Sequence, residues 1–395
     1  MTTQVNPITP FVLRPNFGPT DIERLLIEAT QQKCSDIKIQ SSDFVNVRKA
    51  GKWHCLSNRA LEHSEVERIL SHFNGSSAIT RIGGGGEVDD QLAFFADDSR
   101  ETMMRFRSNA LGNSVGTQSN GITITLRTIP DRLPEFNDMG VHPDIADDLL
   151  SRKGLVIVVG ATGSGKTTLI ASCIHERLKE YPVPCVGTYE QPPEFGYGKL
   201  NLGRGPLVSQ IHVGIHIGDW NRAIPTAMRR TLDIILMGEM RDTKSTEATL
   251  EASLTGHMVY STMHCDTPHE AIFRLVEMFP EESRSSAAAK MLGSLRVILA
   301  QKLVNLKSGR TVPIRSWLSF DSDLKDQLTD PSCPYPHWAS FVRKRVAENG
   351  HDFATQCIPF IQQGELTMAS FREITGMGKH QAEEFFGLHS QRETG

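Results

Sequence analysis

The chain has 395 residues, of which 39% are hydrophobic and 22% are charged, and its formal net charge is -4 at pH 7. This composition is typical of a globular protein of two or three domains and excludes a largely disordered chain. No apolar run approaches the roughly 20 residues that span a bilayer, and the first residues lack the pattern of a signal peptide. A slightly negative net charge does not indicate a nucleic-acid-binding protein. We therefore expect a cytoplasmic protein without direct nucleic-acid contacts.

The first part of the chain is predicted to be an arm followed by an α+β domain. Residues 1–19 contain four prolines and little periodicity, which indicates an arm. Capping-box patterns that begin at Thr20 and Ser64 predict two helices. Alternating or β-rich stretches predict strands at 35–40, 45–48, 105–107 and 122–127. Helices on a small sheet predict an α+β domain over residues 20–129.

The pattern changes after residue 129. Prolines at 130 and 134 predict a linker over 130–136. Beyond it, continuous β-branched runs are typical of parallel strands buried on both faces, and amphipathic stretches separate them. We therefore predict a parallel α/β domain over 137–321, followed by a small helical appendage over 322–395. The predicted strands of the α/β domain are 155–159, 185–189 and 234–237.

Residues 160–168, GATGSGKTT, fit the phosphate-loop pattern G-x-x-x-x-G-K-[ST]. Glycines let successive backbone N–H groups surround phosphate oxygens, and the following helix directs its N-terminal dipole at the anion. A chance glycine turn is the alternative, but a buried strand before the loop and an amphipathic helix after it argue against that interpretation. The pattern therefore predicts ATP and Mg²⁺ as cofactors. The predicted nucleotide-binding residues of the loop are Gly163, Ser164, Gly165, Lys166, Thr167 and Thr168, with the Thr167 hydroxyl on Mg²⁺.

Acidic and histidine residues follow the predicted strands downstream of the loop. Glu190 and Glu239 each stand just beyond a strand, at the edge where parallel sheets bind ligands. Either carboxylate alone could simply cap a helix. His257 and His264 flank a further apolar run, and their spacing suggests a strand end that senses the γ-phosphate. Taken singly, each histidine is more often structural.

Four motifs in order resemble the secretion and pilus ATPase superfamily that includes the retraction motor PilT. They are GATGSGKTT, TYEQPPEF, ILMGEMRD and TGHMVYSTMH. The phrases EASLTGHMVYSTMH and GRTVPIRSWLSFD are most similar to the type IVB secretion and conjugation ATPases DotB and TraJ. Pieces of the first domain resemble the family's PAS-like N-terminal domain, and SLRVILAQKLV resembles its helical C-terminal region. The resemblance covers roughly residues 20–321.

This resemblance implies a RecA-like second domain and a homo-hexameric ring that hydrolyses ATP between subunits. Such a ring energises a type IV(B) secretion or conjugal transfer apparatus, held at the inner membrane by that complex and its coupling proteins. The resemblance makes Glu190 the general base and places Glu239 near Mg²⁺ through water. His264 and His257 would belong to the γ-phosphate network. Arg107 and Arg127 would reach the nucleotide from the first domain; otherwise they are exposed strand arginines.

Three other functions stay open at this point. A pilus retraction or assembly motor shares the same motifs. A nucleotide-gated scaffold without sustained turnover would need neither Glu190 nor Glu239. A nucleic-acid translocase is disfavoured by the absence of a basic, aromatic stretch. The transported substrate does not follow from the sequence.

Overall fold

The computed structural model describes residues 8–97, 102–115, 118–129, 132–180, 182–197 and 208–390. The chain divides into two compact units, which we call the N-terminal unit and the C-terminal unit. The N-terminal unit comprises Met1–Arg132 and Pro192–Gly196, and the C-terminal unit comprises Leu133–Gln191 and Tyr197–Gly395. Parts of all five predicted segments lie outside the described residues: 1–7 of the arm, 98–101 and 116–117 of the first domain, 130 and 131 of the linker, 181 and 198–207 of the α/β domain, and 391–395 of the helical appendage.

The described residues of the N-terminal unit form a six-stranded antiparallel sheet and three α-helices. The strand order is β3-β2-β1-β6-β5-β4. Strand alternation positions the core, since Ile37 and Ile39 are buried while Lys38 between them is partly exposed. The elements are α1 (Pro19–Gln31), β1 (Asp36–Gln40), β2 (Phe44–Lys49), β3 (Lys52–Ala60), α2 (His63–Asn74), α3 (Ser77–Gly83), β4 (Glu87–Phe95), β5 (Met103–Val115) and β6 (Gln118–Ile129).

Two local predictions for this unit are wrong. The described part of the predicted arm is not free, because Phe11, Leu13 and Phe17 are buried in the core of the unit. Thr20 and Ser64 lie inside α1 and α2 rather than capping them. Pro19 occupies the first turn of α1, where its fixed φ favours a helix start. The helices therefore begin slightly earlier than the capping pattern predicts.

The C-terminal unit is an α/β sandwich. The elements before the phosphate loop are a 3-10 helix (Phe136–Met139), α4 (Pro143–Leu149) and β7 (Gly154–Val159). The loop is followed by α5 (Lys166–Arg177), β8 (Val186–Glu190), β9 (Val208–His212), α6 (Trp220–Met228), β10 (Ile234–Met237), α7 (Thr243–Leu254), β11 (Met258–Met263), α8 (Pro268–Glu277) and α9 (Arg284–Ser294). The chain continues with β12 (Leu295–Asn305), β13 (Thr311–Ser319), α10 (Ser322–Thr329), α11 (Trp338–Glu348), α12 (Phe353–Gln362), α13 (Met368–Thr375) and α14 (Lys379–Ser390). Among the described helices, none is long and apolar enough to cross a membrane.

The seven-stranded sheet of this unit is mixed rather than purely parallel. Its order is β13-β12-β7-β11-β10-β8-β9, and every pair is parallel except β12 with β13. The stretch SLRVILAQKLV, which resembles a helical region, instead forms β12, so that expectation is wrong. The reason is strand pairing: β12 hydrogen-bonds to the distant strand β7 on one side and to the next strand, β13, on the other.

The helices after residue 321 are part of the C-terminal unit and not an appendage. Trp338, Val342 and Phe371 belong to the same buried cluster as Leu155 and Ile157 of β7. The backbone N–H of Trp317 on β13 also donates to the His351 carbonyl at 3.2 Å. Because one core continues through both segments, we correct the predicted boundary at 321.

Candidate nucleotide site at the carboxyl edge of the mixed sheet

The phosphate loop connects β7 to α5 and depends on its glycines. Gly160, Gly163 and Gly165 have positive φ values of 147°, 80° and 84°, a region that other residues rarely adopt. A Cβ atom at Gly160 would also lie 2.5 Å from the Gln301 carbonyl oxygen and 2.6 Å from the Ser164 hydroxyl. The loop is therefore a close-packed backbone turn of the kind that can cradle an anion.

Lys166 is buried at the first position of α5. Its Nζ donates to the carbonyl oxygens of Gly160 and Ala161, at 2.8 and 3.0 Å. The ammonium therefore lies against the loop, and its charge adds to the positive electrostatic potential at the N-terminus of α5. Thr167 and Thr168 follow in the first turn of α5 and are both partly exposed. This arrangement fits a phosphate chain, with a hydroxyl available to Mg²⁺.

The three predicted groups downstream lie at the same edge of the sheet as the loop. β8, β10, β11 and β7 are parallel, so their carboxyl ends coincide. Glu190 ends β8 and is only 4% exposed. Glu239 follows β10, and His264 directly follows β11, whose last residue pairs with Val159 just before the loop. The structure thus gathers two carboxylates and one imidazole beside the phosphate loop.

Glu239 joins the ends of two strands through its carboxylate. One oxygen lies 3.4 Å from His264 Nε2, and the other accepts a bond from Arg241 Nε at 2.7 Å. The His264 carbonyl accepts from Arg274 on α8 at 2.8 Å. Thr262 on β11 donates to the Gly238 carbonyl at 2.7 Å, which ties β10 and β11 together at this edge. The Glu239–His264 contact and the Thr262–Gly238 bond therefore hold the ends of β10 and β11 together beside the phosphate loop.

A cavity of about 660 Å³ opens beside the loop within the C-terminal unit. Burial raises the pKa of Cys265 in its wall to about 12, so this thiol stays protonated and unreactive at neutral pH. The cavity has phosphate-loop backbone on one side and α8 on the other. Its lining residues are Gly160, Ala161, His264, Cys265, Asp266, Glu270, Phe273, Arg274 and Glu277.

His257 is not at this site, so its predicted place in the γ-phosphate network is corrected. It precedes β11, at the end where the Gly154 N–H donates to the His257 carbonyl at 3.0 Å. β11 has six residues, which separates His257 from the loop by about 20 Å at a strand rise of about 3.3 Å per residue. Its Nδ1 lies 2.9 Å from the Thr255 hydroxyl and 3.2 Å from the Ala252 carbonyl. These contacts make it a local structural residue of its own chain.

Arg107 and Arg127 lie directly opposite one another on β5 and β6 of the N-terminal unit. Arg127 Nε pairs with the buried Asp36 carboxylate at 2.8 Å, and an Arg107 nitrogen lies 3.7 Å from an Asp89 oxygen. Both side chains remain substantially exposed. The two guanidinium groups are therefore neighbours that are each paired with a carboxylate, and their contact with a nucleotide stays a prediction.

The sequence reasoning missed two groups of residues that bear on the site. Gln301 on β12 donates from Nε2 to the Ser164 carbonyl at 2.6 Å, and Arg315 on β13 donates to Gln301 Oε1 at 2.8 Å. His212, at the end of β9, is buried and pairs in register with Glu190. In the sequence, Gln301 and Arg315 stand out as polar residues within otherwise largely apolar strands, and this was the one signal that could have pointed to them.

A phosphate loop between a buried strand and a helix, with carboxylates after the neighbouring parallel strands, defines the class of P-loop nucleoside triphosphatases. Residues 19–348 match the family model described as "Type II/IV secretion system protein". The chain belongs to this family of secretion ATPases, and it is an ATPase with a nucleotide-binding fold.

Individual relatives agree with this family. The chain is 32% identical to the "Uncharacterized protein YggR" of Escherichia coli over 73% of this chain and 83% of that protein. It is 28% identical to the type IV pilus retraction ATPase PilT of Pseudomonas aeruginosa over 74% of this chain and 80% of that protein. The structure is similar to that of the Legionella pneumophila ATPase DotB, with a TM-score of 0.80 and 31% identity. That match covers 93% of this chain and 99% of the DotB chain.

Proposed function

We propose that this protein is a hexameric ATPase motor that energises a type IVB secretion or conjugal transfer apparatus. The observation that carries this proposal is the similarity to the Legionella pneumophila ATPase DotB, which spans 93% of this chain. That coverage exceeds the 19–348 segment of the family model and extends into the C-terminal helices. Similarity over this length supports a common architecture as well as a common nucleotide fold.

The proposed chemistry uses the residues at the carboxyl edge of the mixed sheet. Residues 160–168 would hold ATP, whose Mg²⁺ supplies charge neutralisation at the phosphates. The Thr167 hydroxyl would hold the metal directly, and Glu239 would hold it through water. Among the described residues no cluster of three or more His, Cys, Asp or Glu side chains could hold a metal ion, so phosphates and water would complete its shell.

Two side chains of the same edge would act on the reacting groups. Glu190, buried at the end of β8, would take the proton of the attacking water as general base. His264, held by Glu239, would donate to a γ-phosphate oxygen. Lys166 would leave the loop carbonyls and bind the phosphates. Each role uses a side chain that the fold already places at the carboxyl edge.

We further propose that Arg107 and Arg127 bring positive charge to the nucleotide from a PAS-like N-terminal unit. Their exposed, neighbouring positions on β5 and β6 support this role, because such arginines, once released from Asp36 and Asp89, would offset the charge that develops on the transferring phosphoryl group. Rotation of the two units about the 130–136 linker would convert hydrolysis into a stroke. The ring would sit in the cytoplasm, on an inner-membrane secretion complex and its coupling proteins.

The rate of ATP hydrolysis against protein concentration tests this proposal. We expect a cooperative rise in specific activity, and a particle near six subunits when the protein is sized in ATP. Glu190→Gln is expected to assemble but to lose at least about 100-fold in turnover, and Lys166→Ala to lose nucleotide binding. A concentration-independent rate from a monomer would contradict the ring.

A pilus retraction motor is the second candidate, favoured by the 28% identity to the Pseudomonas aeruginosa retraction ATPase. The two functions separate genetically. Deletion of the gene is expected to abolish conjugal transfer or protein secretion and to leave surface twitching intact, with restoration by the wild-type gene and none by the Glu190→Gln allele. Loss of twitching alone would favour the pilus motor. Assembly without measurable turnover would indicate a nucleotide-gated scaffold.

A further inference from the structure

Strand β12 packs directly beneath the phosphate loop. Its parallel register pairs Ala300 with Val159, so Gln301 lies beside Gly160 at the start of the loop. A Cβ atom at Gly160 would lie 2.5 Å from the Gln301 carbonyl oxygen, and one at Gly165 would lie 2.8 Å from its Nε2. Both the main chain and the side chain of Gln301 therefore occupy the space under the two glycines.

The orientation of the Gln301 amide is fixed from both sides. Its Nε2 donates to the Ser164 carbonyl at 2.6 Å, and its Oε1 accepts from Arg315 Nε at 2.8 Å. Because the guanidinium can only donate and the carbonyl can only accept, a flipped amide would lose both bonds. Gln301 and Arg315 are 3% and 6% exposed, so water cannot replace these partners at low cost.

Arg315 is itself held by the start of the C-terminal unit. Its two terminal nitrogens donate to the carbonyls of Met139 and Gly140, each at 2.7 Å. These carbonyls lie at the end of the 3-10 helix Phe136–Met139, which begins at the last residue of the predicted linker. Burial lowers the pKa of Arg315 to about 10, which still leaves it charged at neutral pH. A continuous chain of hydrogen bonds therefore runs from residues 139–140 to the phosphate loop.

We infer that Gln301 is a positioning residue for nucleotide binding and that Arg315 sets its orientation. The peptide unit is planar and trans, so the Ser164 carbonyl and the Gly165 N–H point in opposite directions. Anchoring the carbonyl on Gln301 directs the Gly165 N–H away from Gln301, and in our inference this is the side on which the loop would bind an anion. This inference rests on the proposal that residues 160–168 bind the phosphates.

Gln301→Glu separates positioning from stability. The carboxylate still accepts from Arg315, but it has no proton for the Ser164 carbonyl and repels that oxygen. We expect the KM for ATP and the Kd for a fluorescent ADP analogue to rise about tenfold, the effect of losing one buried hydrogen bond. We expect kcat at saturating ATP to stay within about twofold and Tm within about 3 °C of the wild type.

Gln301→Met is the matched control, since it fills the same space and removes both bonds. It is expected to lower Tm clearly as well as to raise KM. The inference is overturned if Gln301→Glu has a wild-type KM, or if its KM rises only with a Tm as low as that of Gln301→Met. Should Gln301→Glu not fold, Arg315→Lys replaces it. This variant frees the Gln301 amide from Arg315, so we expect the KM for ATP to rise about threefold. An unchanged KM overturns the inference.

Lys166→Ala distinguishes this inference from the proposed site. If Lys166→Ala loses ADP binding and Gln301→Glu retains it, the phosphate loop stands and the positioning role fails. If Lys166→Ala binds ADP like the wild type, the nucleotide site itself is misplaced and both ideas fail together.

Discussion

The imidazole Nε2 of His264 lies 3.4 Å from a carboxylate oxygen of Glu239, at the edge of the sheet that carries the phosphate loop. The two residues come from the ends of β11 and β10, which pair in parallel. Because of this contact, a substitution of Glu239 is expected to alter the position of the His264 side chain, and a substitution of His264 that of Glu239. The functional consequences of this contact can be measured one residue at a time.

Glu239→Gln is expected to lower kcat for ATP hydrolysis by about 100-fold, because it removes the charge proposed to act near Mg²⁺ and weakens the hold on His264. ADP affinity without Mg²⁺ is expected to change little. Steady-state ATPase assays and nucleotide titrations check both values. Glu247→Gln, an exposed carboxylate on α7, is the control and should leave kcat within about twofold. A Glu239→Gln enzyme with normal turnover would remove Glu239 from the mechanism.

The two histidines that flank β11 are expected to respond differently. His264→Asn should lower kcat by about tenfold, since this side chain stands beside the loop. His257→Asn should keep kcat within about twofold and lower Tm by a few degrees. Its ring contacts Thr255 and Ala252, at the end of β11 that lies away from the phosphate loop. Paired ATPase and thermal-unfolding measurements test this. Equal losses of kcat in both variants would restore His257 to the site.

Removal of the residues after 321 is expected to give an aggregated protein rather than a smaller active ATPase. The deletion would strip Trp338, Val342 and Phe371 from the core of the C-terminal unit and expose its apolar surface. A point variant measures the same dependence: Phe371→Ala should cost about 3–5 kcal/mol in the free energy of unfolding. Leu388→Ala, at a side chain that is 65% exposed, should change it by less than about 0.5 kcal/mol. A soluble, active truncation would show that the helices are dispensable.

The stability of the N-terminal unit should fall in acid through Glu65. Hydrogen bonds from Arg59, at 2.7 and 2.8 Å, lower the pKa of this buried carboxyl below its ordinary 4.5. Between the two pKa values the unfolded chain binds more protons, so stability rises with pH there. The contribution is complete above about pH 4.5 and is lost as the pH falls through the lowered folded pKa.

Urea unfolding between pH 3 and 7 measures this dependence. Glu65→Gln should cost about 1–3 kcal/mol at pH 7 and flatten the acid limb of the curve. Glu67→Gln, on the same helix and at a carboxylate that is 36% exposed, is the control and should change the free energy of unfolding at pH 7 by less than about 0.5 kcal/mol. An identical acid limb in wild type and Glu65→Gln would show that other carboxyls control the transition.

Local rules predicted those parts of the site that lie in continuous motifs. The phosphate loop follows from a fixed spacing of Gly160, Gly165 and Lys166, and parallel strands place Glu190 and Glu239 at one edge whatever the distance along the chain. Gln301 did not follow, because its importance depends on β12 pairing with β7, a contact between segments far apart in sequence. His257 was misplaced because spacing alone does not say which end of a strand faces the loop.

The position of β12 also bears on how the protein is made. β7 lies between β11 and β12, and β12 is encoded far downstream of the phosphate loop. The phosphate loop therefore leaves the ribosome long before β12, the strand against which it packs. Until β12 emerges, β7 keeps one unpaired edge and the Ser164 carbonyl has no amide to anchor it. The positioning role inferred for Gln301 therefore predicts that competence to bind nucleotide is acquired late in synthesis, once β12 has left the ribosome.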